Sequence, residues 1–428
     1  MDATAQRIAV IGGGYVGLVT GAGLASLGHT VVVGERDPAR VERLRSGRSP
    51  IYEEGLDDLL GAGIDSGRLS FTVDNAAAVD DAAFVFIALP TPSDPHGAAD
   101  LSFIEDVLAE LGDRLAGKVL VTKSTVPVGT NARFQAWLDA EGIDAEMVSN
   151  PEFLQEGVAV PTFMAPDRIV IGARSGDAGA RVAALFGGLG DVPVIHTDTT
   201  SAEMIKYAAN VYLATRITMA NSFANLAEEV GADIEAVTAG IGSDRRIGPH
   251  FLRAGPGFGG SCFPKDTRAL LATARDVGYG FPLLEQVLST NAYQATRVVD
   301  RVARDVGRLV GRRVAVWGAA FKAGTDDVRE SPAVRIMSEL VQRGAHVVAY
   351  DPEAPIPAGV EVADSAIDAV AGADALVVAT EWPEFADVDL TAVAASMEGT
   401  LVLDARNVLD ADRATAAGLA YRGIGRLA

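Results

Sequence analysis

The sequence predicts an α/β protein: two parallel-sheet units joined by a helical region that includes a long connecting helix. Three observations carry this. Near the N-terminus a short apolar run enters a glycine-rich turn, then a helical pattern, then a second apolar run that ends on an acid. The same plan returns in the last third of the chain. Between the two lie helical stretches longer than a sheet crossover requires.

In the first unit, Arg7-Ile8-Ala9-Val10-Ile11 reads as a buried strand. Gly12-Gly13-Gly14-Tyr15-Val16-Gly17 follows at once and fits G-x-G-x-x-G at Gly12, Gly14 and Gly17. Leu18 to Leu27 reads as a helix and His29 to Gly34 as the next strand, with Glu35 at its end. Glycines allow a tight turn and close backbone approach, the helix N-terminus takes a pyrophosphate, and the acid bonds ribose hydroxyls. In this order the elements point to a bound dinucleotide. An acid at position 35 favours NAD over NADP, because it repels a 2′-phosphate; Arg36 and Arg40 weaken that preference a little.

Further strands are expected at Ala82–Leu89, Val119–Thr122 and Met147–Ser149. Each leads into a loop that faces the ligand crevice of an open α/β sheet. Glu152 and Glu156, in the loop Asn150 to Gly157, are either a solvated face or acids of a site.

Thr200 to Val230 reads as one long helix, with Thr200 and Glu203 as a capping box and Gly231 as the stop. Lys206 and Asn210, four apart, share a face of it. Taken alone they are a surface lysine beside a neutral partner, slightly preferred, or a polar pair facing a site. A second helix runs from Pro282 to about Leu309.

In the third region, Arg313 to Gly318, Gly344 to Pro352 and Ala375 to Thr380 parallel the first unit's strands. Gly318-Ala319-Ala320-Phe321-Lys322 lacks the second and third fingerprint glycines, so no dinucleotide pyrophosphate is expected there in the same way. Lys322, Arg329 and Arg406 lie on strand-end loops. Singly each is an ordinary ion-pair residue; together they suggest a second phosphate-bearing ligand.

The stretch Gly255 to Asp266 holds the one cysteine, Cys262, of 428 residues. Pro264 suits a first helical turn and Asp266 suits the same turn's positive end. Cys262 therefore falls at or just before a helix N-terminus with Lys265 close by. These surroundings favour a reactive thiolate over a small buried hydrophobe.

Composition narrows the partners. At 49% hydrophobic residues the chain can bury sizeable cores, and its length suits two or three domains. A net charge of −21 argues against nucleic acid, which needs clustered Lys and Arg. One cysteine allows no internal disulfide and fits a reducing cytoplasm. With five histidines and one cysteine, no zinc-type ligand spacing occurs, so no metal is expected. Ile8 to Gly28 is uncharged and long enough to span a bilayer, but its clustered glycines suit a phosphate loop, so neither a membrane segment nor a signal peptide is expected.

These motifs together resemble the UDP-glucose/GDP-mannose dehydrogenase family across nearly the whole chain. The resemblance runs through Gly12–Gly17, Ser46–Glu53, Ser124–Thr130, Asn150–Gly157, Lys206/Asn210, Gly259–Asp266, Phe321-Lys322 and Val328–Pro332. It implies an NAD-binding Rossmann-like domain (1–198), a helical middle that dimerises (199–309) and a Rossmann-like sugar-nucleotide domain (310–428). It also implies oxidation of a sugar C6 alcohol to a carboxylate with two NAD⁺ per turnover, most closely UDP-glucose to UDP-glucuronate.

Cys262 would hold the intermediate aldehyde as a thiohemiacetal and then a thioester, because a second hydride can leave only from a tetrahedral carbon. Lys206 and Asn210 would stabilise the oxyanion, and Asp266, Glu152 and Thr125 would handle protons and water. This implication turns Lys206 from surface to site. For NAD the matching positions are Val16, Glu35, Arg40, Thr91, Thr125, Glu156, Lys265 and Arg329. For the sugar nucleotide they are Glu152, Phe153, Leu154, Gln155, Glu156, Lys206, Asn210, Phe251, Leu252, Arg253, Ala254, Gly255, Gly259 and Lys322, with Phe321 and Arg406 beside them. Arg246 resembles an arginine that the family supplies from a partner subunit.

The chain departs from the family where Glu35 replaces the usual aspartate and Gly34 an apolar residue. The context Ser261-Cys262-Phe263 favours glucose over mannose. Alternatives are dTDP-glucose, GDP-mannose or UDP-N-acetylmannosamine as substrate; more remotely, a 3-hydroxyacid dehydrogenase with one hydride transfer, or a nucleotide sensor without catalysis.

Overall fold

Residues 5–426 are described by a computed structural model, and they fall into two compact units: 5–209 with 268–279, and 210–267 with 280–426. Each unit is built on one sheet.

The first sheet has eight strands: β1 (Arg7–Ile11), β2 (Thr30–Gly34), β3 (Leu69–Thr72), β4 (Phe84–Ile87), β5 (Val119–Thr122), β6 (Glu146–Ser149), β7 (Ile169–Ala173) and β8 (Val194–Thr197). Their order is β3-β2-β1-β4-β5-β6-β7-β8. All neighbours are parallel except β6 and β7, which are antiparallel. The first six strands form the doubly wound order of a dinucleotide fold, and β7 and β8 extend it in the opposite direction. Side chains alternate along β1: Ile8 and Val10 enter one apolar cluster, Ala9 and Ile11 another on the other face. Burial on both faces is why the central strands read as continuous apolar runs.

The second sheet has six parallel strands: β9 (Arg313–Trp317), β10 (His346–Tyr350), β11 (Glu361–Val362), β12 (Ala375–Val378), β13 (Leu401–Asp404) and β14 (Ala420–Gly423). Their order, β11-β10-β9-β12-β13-β14, repeats that of the first six strands. The core of this unit includes Trp317 stacked on Phe385, with centroids 5.2 Å apart.

Three helices matter most. The long helix spans Thr199–Val230, the cysteine helix Phe263–Asp276, and a third Pro282–Val306. Gly231 and Ala232 both donate to the Ala227 carbonyl (2.9 and 3.0 Å), which closes the long helix as expected. Its start differs from the expected capping box. Asp198 accepts from the Ser201 N–H at 2.8 Å and caps the helix, while Glu203 turns away into the interior. There Glu203 accepts from the Gly129 and Asn131 N–H groups (2.5 and 2.7 Å) and from Asn131 Nδ2 (2.7 Å). A carboxylate that can satisfy a neighbouring helix N-terminus serves that role better than it caps its own. No helix among the described residues is long and apolar enough to cross a membrane.

Candidate functional site

The first site feature is the turn after β1. Gly12 has φ +112° and lies against the Ala88 carbonyl at the end of β4, where a Cβ would sit 2.5 Å from its oxygen. A Cβ on Gly17 would strike the Gly12 carbonyl, so the helix Tyr15–Ser26 can pack here only with glycine. Gly14 is the contrast: a Cβ there meets nothing within 4 Å, and no side chain caps the helix it precedes. The turn is therefore packed behind and open in front, which fits a pyrophosphate on backbone N–H groups. Val16 lies half-buried in the first turn of that helix. Arg40 Nη2 donates to the Gly13 carbonyl at 2.8 Å, and its Nε lies 3.6 Å from Glu35. Glu35 stands at the end of β2 with its side chain 14% exposed.

In the second unit the equivalent acid, Asp351 after β10, behaves differently. Its Oδ2 accepts from the Ala319 and Ala320 N–H groups at 2.7 and 3.0 Å, and from Trp382 Nε1 at 3.0 Å. The N–H groups that a dinucleotide would need are thus engaged from within, in line with the missing fingerprint glycines.

A second feature lies at the C-terminal ends of β5 and β6. Lys206, on the long helix, is buried, and its Nζ donates to Glu152 Oε1 at 2.9 Å. This overturns the surface reading of Lys206. The other carboxylate oxygen accepts from the Leu154 N–H at 2.6 Å. Burial pushes Glu152 up, but the Lys206 charge and hydrogen bond, the Leu154 N–H and the Lys123 charge outweigh it, so the carboxyl lies below its usual range. Phe153 lies between Lys206, whose Nζ is 5.4 Å from the ring centroid, and Arg168, stacked at 3.7 Å. Thr91 Oγ1 donates to the Thr125 carbonyl at 2.8 Å, joining the loops after β4 and β5.

The third feature is the cysteine loop. The cysteine helix begins at Phe263, and the Asp266 N–H donates to the Cys262 carbonyl at 2.8 Å, so Cys262 holds the N-cap position. It is half-buried, with Sγ 3.5 Å from Ser261 Oγ. Asp266 is fully buried; Asn210 Nδ2 donates to its Oδ2 and Lys265 Nζ to its Oδ1, both at 2.6 Å. The preceding loop rests on strand ends of the second sheet. The Gly260 N–H donates to the Arg329 carbonyl at 3.0 Å, and a Cβ on Gly260 would enter the Phe321 ring. Gly259 lies against the Glu330 carbonyl, and Gly255 beside Arg406. Arg406 Nη2 donates to the Phe321 carbonyl at 2.6 Å and its Nε to that of Ala379 at 2.9 Å.

Within the second unit, then, Gly255, Gly259, Phe321 and Arg406 gather around the cysteine loop. Lys322 lies 5.7 Å from the Phe321 ring. Phe251, at φ +60°, packs its ring 6.3 Å from that of Phe263, with Leu252 and Ala254 buried and Arg253 exposed. Two further arginines stay at the surface: Arg329 with Asp327, and Arg246 with Asp244, both at 2.6 Å, the Arg246 side chain 89% exposed. In the loop after β6, Gln155 is exposed and Glu156 half-buried.

Sequence reasoning assigned no role to Tyr15, Glu53, Lys123 or Asn150. Tyr15 donates to Glu53 in a short hydrogen bond, and Glu53 accepts from the Gly157 and Ala159 N–H groups, each at 2.6 Å. Burial and this carboxylate push the Tyr15 phenol far up. Their signal was position alone, beside the fingerprint and in a strand-end loop.

Comparison with known proteins gives the arrangement its context. Residues 6–189 match the NAD binding domain of the UDP-glucose/GDP-mannose dehydrogenase family, 200–293 its central domain and 315–411 its UDP binding domain. The chain is 43% identical to UDP-glucose 6-dehydrogenase TuaD of Bacillus subtilis, covering 98% of this chain and 93% of that protein. It is also 43% identical to a UDP-glucose 6-dehydrogenase of Pseudomonas aeruginosa, covering 98% of each. A solved UDP-glucose dehydrogenase from Pyrobaculum islandicum superposes with TM-score 0.92 at 38% identity over 99% of both chains. With its three domains matched in order and its fold shared from end to end, this chain belongs to the UDP-glucose/GDP-mannose dehydrogenase family.

Proposed function

We propose that this protein oxidises C6 of UDP-glucose to the carboxylate of UDP-glucuronate. NAD⁺, held at the Gly12–Gly17 turn with Glu35 at the ribose, accepts one hydride in each of two steps. The observation that carries the reading is Cys262 at the N-cap of a helix whose first turn holds the buried, doubly bonded Asp266. The names of the relatives support UDP-glucose in particular.

In the first step the C6 hydroxyl loses a hydride and a proton, giving an aldehyde. The Cys262 sulfur then adds to that carbon, and a helix N-terminus favours the negative charge this needs. The resulting thiohemiacetal loses the second hydride and its hydroxyl proton, leaving a thioester. Water attacks, the C–S bond breaks, and the acid departs as the sulfur regains a proton. Lys206 and Asn210 stabilise the oxygen as it gains charge; Asp266, Glu152 and Thr125 move protons and orient water. Arg329, Lys265, Glu156, Thr91, Val16 and Arg40 serve the cofactor. Phe153, Leu154, Gln155, Phe251 to Gly255, Gly259, Phe321, Lys322 and Arg406 serve the sugar nucleotide.

The domains follow as 1–198 for NAD, 199–309 for dimerisation and 310–428 for the nucleotide. The long helix exposes Tyr212, Met219, Phe223, Leu226 and Val230 at heptad-like spacing, which supports a homodimer through that face. Arg246 of each subunit would serve its partner. We place the enzyme in the cytoplasm, where its single thiol stays reduced.

The test is an NADH assay over UDP-glucose, dTDP-glucose, GDP-mannose and UDP-N-acetylmannosamine. UDP-glucose should give the highest kcat/KM. Preference for another sugar moves the substrate and keeps the chemistry, whereas binding without NADH from any of them would leave only a sensor.

A further inference from the structure

The segment Ser46–Glu53 carries part of the family resemblance, yet the reaction above gives it no task. Its last residue, Glu53, is 7% exposed and joins stretches that are far apart in sequence. Glu53 Oε1 accepts from the Ala159 N–H at 2.6 Å. Its Oε2 accepts from the Gly157 N–H, also at 2.6 Å, and from the Tyr15 phenol in the short hydrogen bond described above. The Gly157 N–H donates as well to the Tyr15 oxygen at 3.0 Å, so phenol, carboxylate and backbone close a ring.

Both ends of this ring belong to the site. Tyr15 opens the helix Tyr15–Ser26 directly after Gly14, in the turn assigned to the pyrophosphate. Gly157 ends the loop after β6 that carries Glu152 and Glu156. Burial, the Glu53 hydrogen bond and the charges of Glu53 and Glu156 push the phenol far up, so it remains a donor at any working pH. Meeting the N–H groups of Gly157 and Ala159, where the helix Ala159–Met164 begins, takes only the carboxylate. What the phenol adds is a tie from that loop to the cofactor turn.

Resting on the reaction proposed above, we infer that Tyr15 and Glu53 form a positioning pair that holds the loop Asn150–Gly157 in register with the Gly12–Gly17 turn. The loop presents the sugar and the turn presents NAD⁺, so this register sets the approach of C6 to the hydride acceptor. Neither side chain touches the reacting atoms or exchanges a proton with them. Hydride transfer is sensitive to such placement, since a displacement of about 1 Å costs about 10²-fold in rate.

The test compares wild type, Tyr15→Phe, Glu53→Gln and the double variant. Each is read by the first-turnover rate of NADH formation at saturating UDP-glucose and NAD⁺, by both KM values and by a thermal melt. Tyr15→Phe keeps the ring packed and removes the phenol bond; it should slow the first turnover about tenfold or more with little change in either KM. The double variant should be no slower than Glu53→Gln alone, because the two side chains act as one link. Should Glu53→Gln fail to fold, Tyr15→Phe decides alone. An unchanged first-turnover rate in Tyr15→Phe, whatever its melting temperature, would make the bond structural and overturn the inference. A loss confined to KM for NAD⁺ would make Tyr15 a cofactor contact, and losses that add in the double variant would make the two residues independent; either overturns it. If wild type makes two NADH per UDP-glucose and Tyr15→Phe keeps its rate, the inference falls and the proposed reaction stands. If wild type makes no NADH from UDP-glucose, both fall.

Discussion

Asn210 and Asp266 are joined at 2.6 Å, and this bond fixes the orientation of a carboxylate one helical turn beyond Cys262. Lys265 holds the opposite oxygen, so both sides of the group are committed and its side chain is 1% exposed. A buried carboxylate held this way suits the proton-handling role proposed for it. Asp266→Asn keeps the shape and removes the charge. It should lower kcat by about 10²–10⁴-fold with a folded protein, as judged by steady-state rates beside a thermal melt. Near-normal kcat would remove Asp266 from proton handling.

Glu152 makes acid stability a second readout. Its carboxyl lies below the usual range because Lys206, the Leu154 N–H and Lys123 outweigh burial. A depressed carboxyl stabilises the fold above its unfolded pKa, and that contribution is lost as pH falls through the folded value. Glu152→Gln leaves Lys206 and Lys123 without their carboxylate and should cost about 3–5 kcal/mol at neutral pH. The gap from wild type in urea unfolding should narrow as pH falls below the ordinary carboxylate range, where wild type loses the same charge.

The cofactor turn gives a steric prediction. A methyl on Gly17 enters the Gly12 carbonyl, so Gly17→Ala must open the turn. NAD⁺ affinity, read by tryptophan fluorescence or calorimetry, should fall about tenfold or more, with stability reduced by about 1–3 kcal/mol. Unchanged affinity would mean that the pyrophosphate does not rest on this turn.

Much of this was legible because its physics is local. A strand that meets G-x-G-x-x-G and a helix leaves few alternatives, and the second unit repeats the plan strongly enough that its missing glycines carry meaning. The placement of Cys262 at a helix start also followed from Pro264 and Asp266 alone. What escaped were choices settled by tertiary partners. Thr200 and Glu203 have capping-box spacing, yet Glu203 bonds the Gly129 and Asn131 N–H groups instead. Lys206 beside alanines reads slightly better as surface than as site until Glu152, far away in sequence, is seen against it. The antiparallel β7, and β8 with its exposed Val194 and Ile195, carry no pattern that announces their direction.

The exposed stripe on the long helix predicts assembly. Leu226 is 59% and Val230 67% exposed, an unusual loss for apolar side chains on an ordered helix. Leu226→Glu combined with Val230→Lys should shift the mass measured by light scattering from two chains to one. A wild type that is already monomeric at micromolar concentration would exclude that face as a dimer interface.

The central claim is that one thiol, Cys262, holds the sugar between two oxidations. The most direct measurement is the amount of NADH formed per UDP-glucose consumed to completion, in wild type and in Cys262→Ser. The account predicts two NADH per sugar for wild type, and a variant that stalls before the acid is released. One NADH per sugar in wild type, or two in the variant at full rate, would contradict it.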